Sequence, residues 1–171
     1  MRLFLLRHAQ ANDIWPDSER ILTQKGRNQV KKLCRYLDKS NFENVVQIWH
    51  SPYLRALETA QIFKEQMQLS APLSETANIT PNDNPHEAAR MIASISCFGG
   101  DLVIVSHNPV LENLCDLILY GQKEGGKTVF RKCALAALTL VEPPSPADEY
   151  GIWTLNFLLS PSLFSDDGSP E

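Results

Sequence analysis

Short apolar runs, each followed by a basic or polar residue, recur along this chain of 171 residues. The run at 3–6 is followed by Arg7 and His8, and the run at 102–105 leads to His107. A short unbroken apolar run with polar residues at its ends is typical of a buried strand. Helix-like patterns separate the runs, and this alternation predicts parallel strands joined by right-handed crossover helices.

The whole chain is expected to form a single α/β domain over residues 1–161. Strands are predicted at 2–7, 45–49, 102–106, 134–141 and 151–158, and helices at about 23–38, 52–67, 85–96 and 109–120. The last two strands are joined by a proline-containing loop and are predicted to form an antiparallel hairpin at one edge. The acidic segment 162–171 is expected to be a disordered tail.

Composition limits the classes of partner. A formal net charge of -4 and a pI of about 5.6 argue against nucleic acid, because binding a phosphate backbone requires a basic face. The first apolar run is too short for a signal peptide or a membrane span, so we expect a cytoplasmic protein without membrane contact. The four cysteines have no metal-binding spacing and are expected to be buried, reduced thiols (Cys34, Cys97, Cys115 and Cys133).

Basic residues next to predicted strand ends indicate a phosphate site. In open α/β sheets, ligands bind at the carboxyl edge of the strands. Arg7 ends the first strand, and Arg55 lies close behind the run at 45–49. Arginine binds two phosphate oxygens at once and keeps its charge at neutral pH. Ser51 and Pro52 predict a helix start, which places Arg55 at the fourth helical position, within reach of the helix N-terminus.

A simpler interpretation is available for Arg55. Glu58 follows it at helical spacing, so the two side chains could form an ion pair on a solvated helix surface.

Two histidines are candidates for the chemistry itself. A neutral imidazole can act as a covalent nucleophile, and nearby arginines favour the neutral form by repelling a second positive charge. His8 is the preferred nucleophile because it directly follows Arg7, and His107 is then a phosphate ligand, cationic when phosphate is bound. Composition alone does not decide between the two. A lone histidine at a strand end is more often structural. His50 could line the groove, but it is interpreted as a partly buried strand-end histidine. His86 lies in a polar loop or first helical turn and is expected to be exposed.

Four segments in this order and spacing resemble the histidine phosphatase superfamily, also called phosphoglycerate mutase-like. They are Leu6-Arg7-His8-Ala9, Leu22-Thr23-Gln24-Lys25-Gly26, the segment 51–60 that begins Ser-Pro-Tyr-Leu-Arg, and Ser106-His107-Asn108-Pro109. The short length, Thr80-Pro81 and the segment 153–161 look most like the small bacterial phosphohistidine phosphatases of the SixA type.

The resemblance implies a fold, a mechanism and a set of residues. The fold would be a three-layer α/β/α sandwich with a mostly parallel sheet. His8 would carry a phosphohistidine intermediate, with Arg7, Arg55 and His107 around the phosphate and no metal or cofactor. Arg20 matches an arginine of the family that is either a substrate contact or a solvated loop charge.

The chain departs from larger members of the superfamily, which carry a glutamate general acid within an inserted lid. The corresponding region is 73–81, where Glu75 is an imperfectly placed substitute. A protonated imidazole leaves phosphorus readily without much help from an acid, which favours phosphohistidine as the substrate. An open site also admits a side chain of a signalling or phosphotransfer protein.

Other functions stay open at this stage. The site could hydrolyse small phosphoesters, or it could bind phosphorylated partners without turnover. A mutase is disfavoured because it must keep phosphate in an enclosed, water-poor site. The sequence does not indicate an oligomeric state.

Overall fold

The computed structural model describes residues 1–121 and 126–164, which form one mixed sheet with helices on both faces. The strands are β1 (Arg2–Arg7), β2 (Val45–His50), β3 (Leu73–Glu75), β4 (Asp101–Ser106), β5 (Leu135–Glu142) and β6 (Ile152–Leu159). The helices are α1 (Gln24–Arg35), α2 (Leu54–Met67), α3 (Pro85–Ile95) and α4 (Val110–Tyr120), and short 3₁₀ helices lie at Asp17–Glu19, Lys39–Phe42 and Pro161–Leu163.

The sheet has the strand order β3-β2-β4-β1-β5-β6. Strands β3, β2, β4 and β1 run parallel to one another, whereas β5 and β6 are antiparallel to their neighbours. The predicted mixed edge is therefore confirmed, with the β5–β6 hairpin outermost. This arrangement points the carboxyl ends of β1, β2 and β4 towards one edge of the sheet.

Two separate cores hold the helices against the sheet. On one face, Val30 of α1 and Phe63 of α2 pack with Phe4 and other side chains of β1, β2 and β4. On the opposite face, Ile92 of α3 and Leu114 of α4 belong to the second core. The predicted α/β/α sandwich is therefore confirmed.

The start of α1 is fixed by two neighbouring residues. Thr23 caps the helix as predicted, since its side chain accepts a hydrogen bond from the Gly26 backbone N–H. Gly26 is buried against the chain that follows β1, and a Cβ atom there would lie 2.1 Å from the Gln10 carbonyl oxygen. A glycine in this first turn therefore allows α1 to approach the loop that follows His8 closely.

Some element boundaries differ from the prediction. Strand β3 was not predicted, and at three residues with partly exposed side chains it has no clear periodic signal. Helix α1 ends at Arg35 rather than near 38, because the Tyr36 backbone N–H bonds the Leu33 carbonyl in a tighter turn.

The segment 162–171, predicted to be a disordered tail, includes three residues that are ordered in the structure. Pro161–Leu163 forms a 3₁₀ helix, and the Phe164 ring stacks on Tyr36 with 4.1 Å between the ring centroids. The Phe164 carbonyl accepts a hydrogen bond from Lys32 Nζ at 2.8 Å. The chain thus packs on α1 as far as Phe164, and residues 165–171 lie outside the described residues.

The cysteines are free thiols, as expected, but one is not buried. Cys34, Cys115 and Cys133 lie in the interior, whereas Cys97 is exposed after the end of α3. Within residues 1–121 and 126–164, no helix combines the length and apolar character needed to cross a membrane.

Replacing Gly26 with Ala should destabilise the protein, because the new Cβ would collide with backbone that cannot move independently of β1. We expect a loss of about 1–3 kcal/mol in the free energy of unfolding, typical of overpacking. Urea denaturation would measure it, with Lys25→Ala, an exposed neighbour, as the control. Equal stability of the two variants would show that the Gly26 contact is not needed.

Candidate active site

Three adjacent parallel strands bring their polar ends together at one edge of the sheet. Arg7 at the end of β1 is paired in register with Ser106 of β4, and His50 of β2 is paired with Val105. The His8 backbone N–H continues the pairing by donating to the Ser106 carbonyl at 2.9 Å. His8 directly follows β1 and His107 directly follows β4. As a result the two imidazole rings lie close together, with 4.9 Å between their centroids.

The hydrogen bonds of His8 define its tautomer. Its Nδ1 lies 2.7 Å from the Ala9 carbonyl, which can only accept, so Nδ1 carries the proton. Its Nε2 lies 3.2 Å from the Nε–H of Arg55, which can only donate. His8 is therefore a neutral imidazole with the lone pair of Nε2 directed towards a guanidinium group.

Burial keeps His8 neutral. Burial and, to a smaller extent, the positive charges of Arg55, Arg7 and Arg20 lower the pKa of His8 to about 3, although the hydrogen bond that its Nδ1 donates to the Ala9 carbonyl opposes them. The neighbouring arginines, from which the neutral form was predicted, are not its main cause. Desolvation is the larger cause, because His8 is only 8% exposed.

Arg55 is in the site and does not form the surface ion pair with Glu58. It is 4% exposed, and besides His8 it contacts the Asp17 backbone oxygen through Nη1 at 2.5 Å and the Asp17 carboxylate through Nη2 at 2.9 Å. Glu58 instead accepts hydrogen bonds from Arg27 Nη2 and from the Leu22 backbone N–H. The surface interpretation of Arg55 was wrong.

The start of α2 also differs from the prediction. The helix begins at Leu54 with Tyr53 in the cap position, so Arg55 is its second residue rather than its fourth. Ser51 is a buried residue before the helix, and its hydroxyl accepts a long hydrogen bond of 3.4 Å from the Tyr53 backbone N–H. The Tyr53 ring lies 4.9 Å from the Arg55 guanidinium carbon and 5.0 Å from the His107 ring.

His107 is held by the Ser51 hydroxyl, which lies 2.8 Å from its Nε2. Burial is the main reason that the pKa of His107 is lowered to about 2, and His8, Arg55 and Arg7 contribute to that shift. Its Nδ1 is buried and has no hydrogen-bond partner among the described residues. A neutral His107 that accepts the Ser51 proton at Nε2 has a proton on Nδ1 to donate.

Arg7 is positioned by the segment before β5. Its Nη1 donates to the Phe130 carbonyl at 2.6 Å, and the same carbonyl accepts from Asn108 Nδ2 at 2.9 Å. Glu112 of α4 completes this network by accepting from both Asn108 Nδ2 and the Phe130 backbone N–H. Arg7 Nε is buried without a partner among the residues described.

Arg20 lies in the loop between β1 and α1 and is fully engaged there. Its Nε donates to the Asn12 carbonyl at 2.6 Å, and Nη1 contacts the Asp17 carboxylate at 3.0 Å. Asp13, which is fully exposed, lies 3.7 Å from Nη2. Arg20 is thus neither a free solvated charge nor in direct contact with His8.

Asp17 is the site residue that the sequence analysis missed. Its carboxylate joins Arg20 to Arg55, which is 38 positions away in the chain. Partial burial alone would raise the pKa of Asp17, but hydrogen bonds and charges from both arginines hold it below its usual value. The spacing of Asp17 to Arg20 hints at their pairing, whereas the sequence carries no signal for the contact with Arg55.

The remaining candidates have structural surroundings. Glu75 is an exposed residue at the end of β3. His50 is buried, and its Nδ1 lies 3.0 Å from the Ser51 carbonyl, as a structural strand-end histidine should. His86 is partly buried rather than exposed, because Nδ1 lies 2.6 Å from the Tyr150 hydroxyl.

The assembled site combines a neutral imidazole with fixed cations. His8 presents Nε2, Arg55 and Arg7 carry positive charge, and His107 offers a donor. Such a group stabilises the charge that develops on a phosphoryl group in transfer. In the described part of the chain, no three His, Cys, Asp or Glu side chains cluster as metal ligands.

Comparisons with known proteins bear on the family and the fold. The model of the histidine phosphatase superfamily (branch 1) matches residues 3–79. The search of curated protein sequences found no match.

Several solved structures have the same fold over nearly the whole chain. The protein histidine phosphatase SixA complexed with tungstate is 24% identical, with a TM-score of 0.81 over 95% of this chain and 99% of that chain. A protein of Agrobacterium tumefaciens, described provisionally as the phosphohistidine phosphatase SixA, is 20% identical, with a TM-score of 0.71 over 93% of this chain and 97% of that one. The α-ribazole phosphatase of Shigella flexneri is 17% identical, with a TM-score of 0.67 over 94% and 97% of the two chains.

The family match includes β1 with Arg7 and His8, and it extends through α2 with Arg55. The resemblance is therefore confirmed: this chain matches the model of the histidine phosphatase superfamily over residues 3–79, which hold three of the four motifs, and it shares the fold of the SixA structure over 95% of its length.

Proposed function

We propose that this protein is a phosphohistidine phosphatase that uses His8 as its nucleophile. The family match supports phosphatase activity in general. The observation that carries the assignment of the nucleophile is the environment of His8 Nε2, an unprotonated nitrogen 3.2 Å from the Nε–H of Arg55. The bond from Nδ1 to the Ala9 carbonyl fixes the ring in this tautomer.

The reaction proceeds in two transfers. In the first, His8 Nε2 forms a bond to phosphorus while the bond from phosphorus to the substrate imidazole breaks, and the leaving imidazole takes a proton from solvent. In the second, water attacks the phosphoryl group on His8, releasing inorganic phosphate and restoring the neutral ring. Splitting the reaction in this way is the general advantage of a covalent intermediate.

Three further residues bind the phosphoryl group in this proposal. Arg7 Nε and His107 Nδ1 are buried polar atoms without a partner among the described residues. A buried donor that is not hydrogen-bonded destabilises a protein, and phosphate oxygens would satisfy both atoms. Arg55 supplies the third contact, and Arg20 acts from the loop by holding Asp17. Burial keeps His107 neutral in the structure, and the cationic form expected when phosphate is bound stays a prediction.

The surroundings of the site support the proposed substrate class. Residues 76–84 link β3 directly to α3, in the region where larger relatives would carry a lid. The Asp17 carboxyl, with its lowered pKa, is ionised at neutral pH and does not donate a proton. A leaving group that needs little acid assistance is therefore favoured, and phosphohistidine on a signalling or phosphotransfer protein meets this condition.

The cytoplasm is the proposed location, since free thiols such as those of this chain stay reduced there.

A comparison of substrates tests the proposal. A phosphohistidine protein should be turned over faster than a small phosphoamidate, and both faster than a sugar phosphate, because only the sugar alkoxide needs a proton donor. Rapid quenching with labelled substrate should trap acid-labile phosphate on His8.

His8→Ala is the matched control and should lose both turnover and the label. A faster reaction with the sugar phosphate would favour a phosphatase of small phosphoesters. Tight binding of the phosphoprotein without turnover would favour a binding module.

Replacing Arg55 with Lys separates charge from geometry. Lysine keeps the positive charge but cannot contact His8 and Asp17 through several N–H groups at once, so kcat should fall by about tenfold or more. Arg27→Lys, in which a more exposed arginine loses its single guanidinium contact with Glu58, is the control and should retain turnover. Thermal denaturation of both variants distinguishes a loss of activity from a loss of folding. A normal kcat in Arg55→Lys would show that the guanidinium group of Arg55 does not contribute to turnover.

The neutral histidines predict how stability depends on pH. Their pKa values in the folded protein, about 3 for His8 and about 2 for His107, lie below the unfolded value of about 6.5. Below about pH 6.5 the unfolded chain binds protons that the folded one does not, so the free energy of unfolding should fall as the pH drops from there towards about 3. Urea denaturation at a series of pH values would measure this loss. His107→Gln should weaken the dependence, and an unchanged dependence would contradict the buried neutral state.

A further inference from the structure

Asp17 forms hydrogen bonds with two arginines, Arg55 and Arg20, that come from different parts of the chain. It accepts two hydrogen bonds from Arg55, one at the backbone oxygen and one at the carboxylate, and its other carboxylate oxygen accepts from Arg20. The same Arg55 side chain contacts His8 Nε2 through Nε. Asp17 therefore holds the outer nitrogens of Arg55 while the remaining N–H meets the nucleophile.

The two partners in this ion pair have very different environments. The side chain of Arg55 is 5% exposed, whereas that of Asp17 is 41% exposed. A buried guanidinium whose partner is removed keeps the cost of its desolvation, so Asp17 also stabilises the charge of Arg55 in the interior. Asp17 is the more exposed partner, and its negative charge lies next to Arg55, which binds phosphate in the proposed function.

We propose that Asp17 positions Arg55 against His8 and that its negative charge limits how tightly the site holds free phosphate. This inference rests on the phosphate site of the proposed function. An anion bound by Arg55 shares that guanidinium with the Asp17 carboxylate, and the two negative charges repel each other. Release of inorganic phosphate, the last step of the reaction, benefits from this repulsion.

The loop geometry makes Asp17 a defined part of the site. The loop that carries it is closed at its base by pairing of Ala11 with Leu22, and the Asn12 backbone N–H donates to the Ile21 carbonyl at 2.9 Å. The 3₁₀ helix at Asp17–Glu19 contacts α2, which carries Arg55. Asp17 is thus fixed from both sides of the loop and from the helix.

Isothermal titration calorimetry with inorganic phosphate tests the charge effect. Asp17→Asn keeps a side-chain oxygen for Arg55 but removes the charge, so it should bind phosphate about fivefold or more tightly than the wild type. Asp13→Asn is the matched control, because it removes an exposed charge that lies near Arg20 and makes no contact with Arg55. It should change the affinity by less than about twofold.

Kinetics with a small phosphoamidate test the positioning effect. Asp17→Ala removes both the charge and the side-chain acceptor, so its kcat should fall several-fold below that of Asp17→Asn. A residue that only stabilised the fold would lower the melting temperature without tightening phosphate binding. Thermal denaturation with and without phosphate reports folding and binding of every variant in one measurement.

The outcomes separate this inference from the function on which it rests. Phosphate binding by Asp17→Asn that is unchanged or weaker than in the wild type overturns the role of the charge, as does equal tightening by Asp13→Asn. Equal kcat in Asp17→Ala and Asp17→Asn overturns the positioning role. If the wild type and every variant fail to bind phosphate, the proposed phosphate site fails as well.

Discussion

The register of three parallel strands is the constraint on which the site depends. Pairing of Arg7 with Ser106 places the ends of β1 and β4 side by side, and β2 joins them on the other side of β4. A shift of one residue in any of these strands would turn its side chains to the opposite face of the sheet. The apolar side chains of β1 and β4 fill cores on both faces, so the same contacts that stabilise the fold fix His8 and His107 at the edge.

Hydrogen bonds between different secondary-structure elements and loops also hold the site residues in place. The Ala9 backbone N–H donates to the Thr59 hydroxyl, which in turn donates to the Arg55 carbonyl. One threonine of α2 thus links the backbone after His8 to the residue that contacts His8. Low exposure strengthens these electrostatic contacts, because little water competes for the same donors and acceptors.

The sequence predicts the parts of the site that depend on local pattern. Apolar runs define β1 and β4, so the placement of His8 and His107 at strand ends could be inferred from the chain alone. The partners of Arg55 could not, since Asp17 approaches it only through the folded loop.

The same distinction explains the errors elsewhere. Strand β3 is too short to show a periodic pattern in the sequence. It forms by pairing with β2 in the folded protein. The local Ser51-Pro52 pattern suggested a helix start, but the Ser51 hydroxyl contacts His107, 56 residues away. The partial burial of His86 likewise depends on Tyr150, which is 64 residues further along the chain.

The central place of β1 in the sheet has a consequence for how the chain folds during synthesis. Its neighbours are β4 and β5, so Leu3 pairs with Leu102 and Leu138, and both partners are translated long after it. Such non-local pairing slows folding and leaves the apolar strand without its partners on the ribosome. His8, the proposed nucleophile, is therefore among the first residues made, yet its surroundings assemble only after β4 and β5 have been translated.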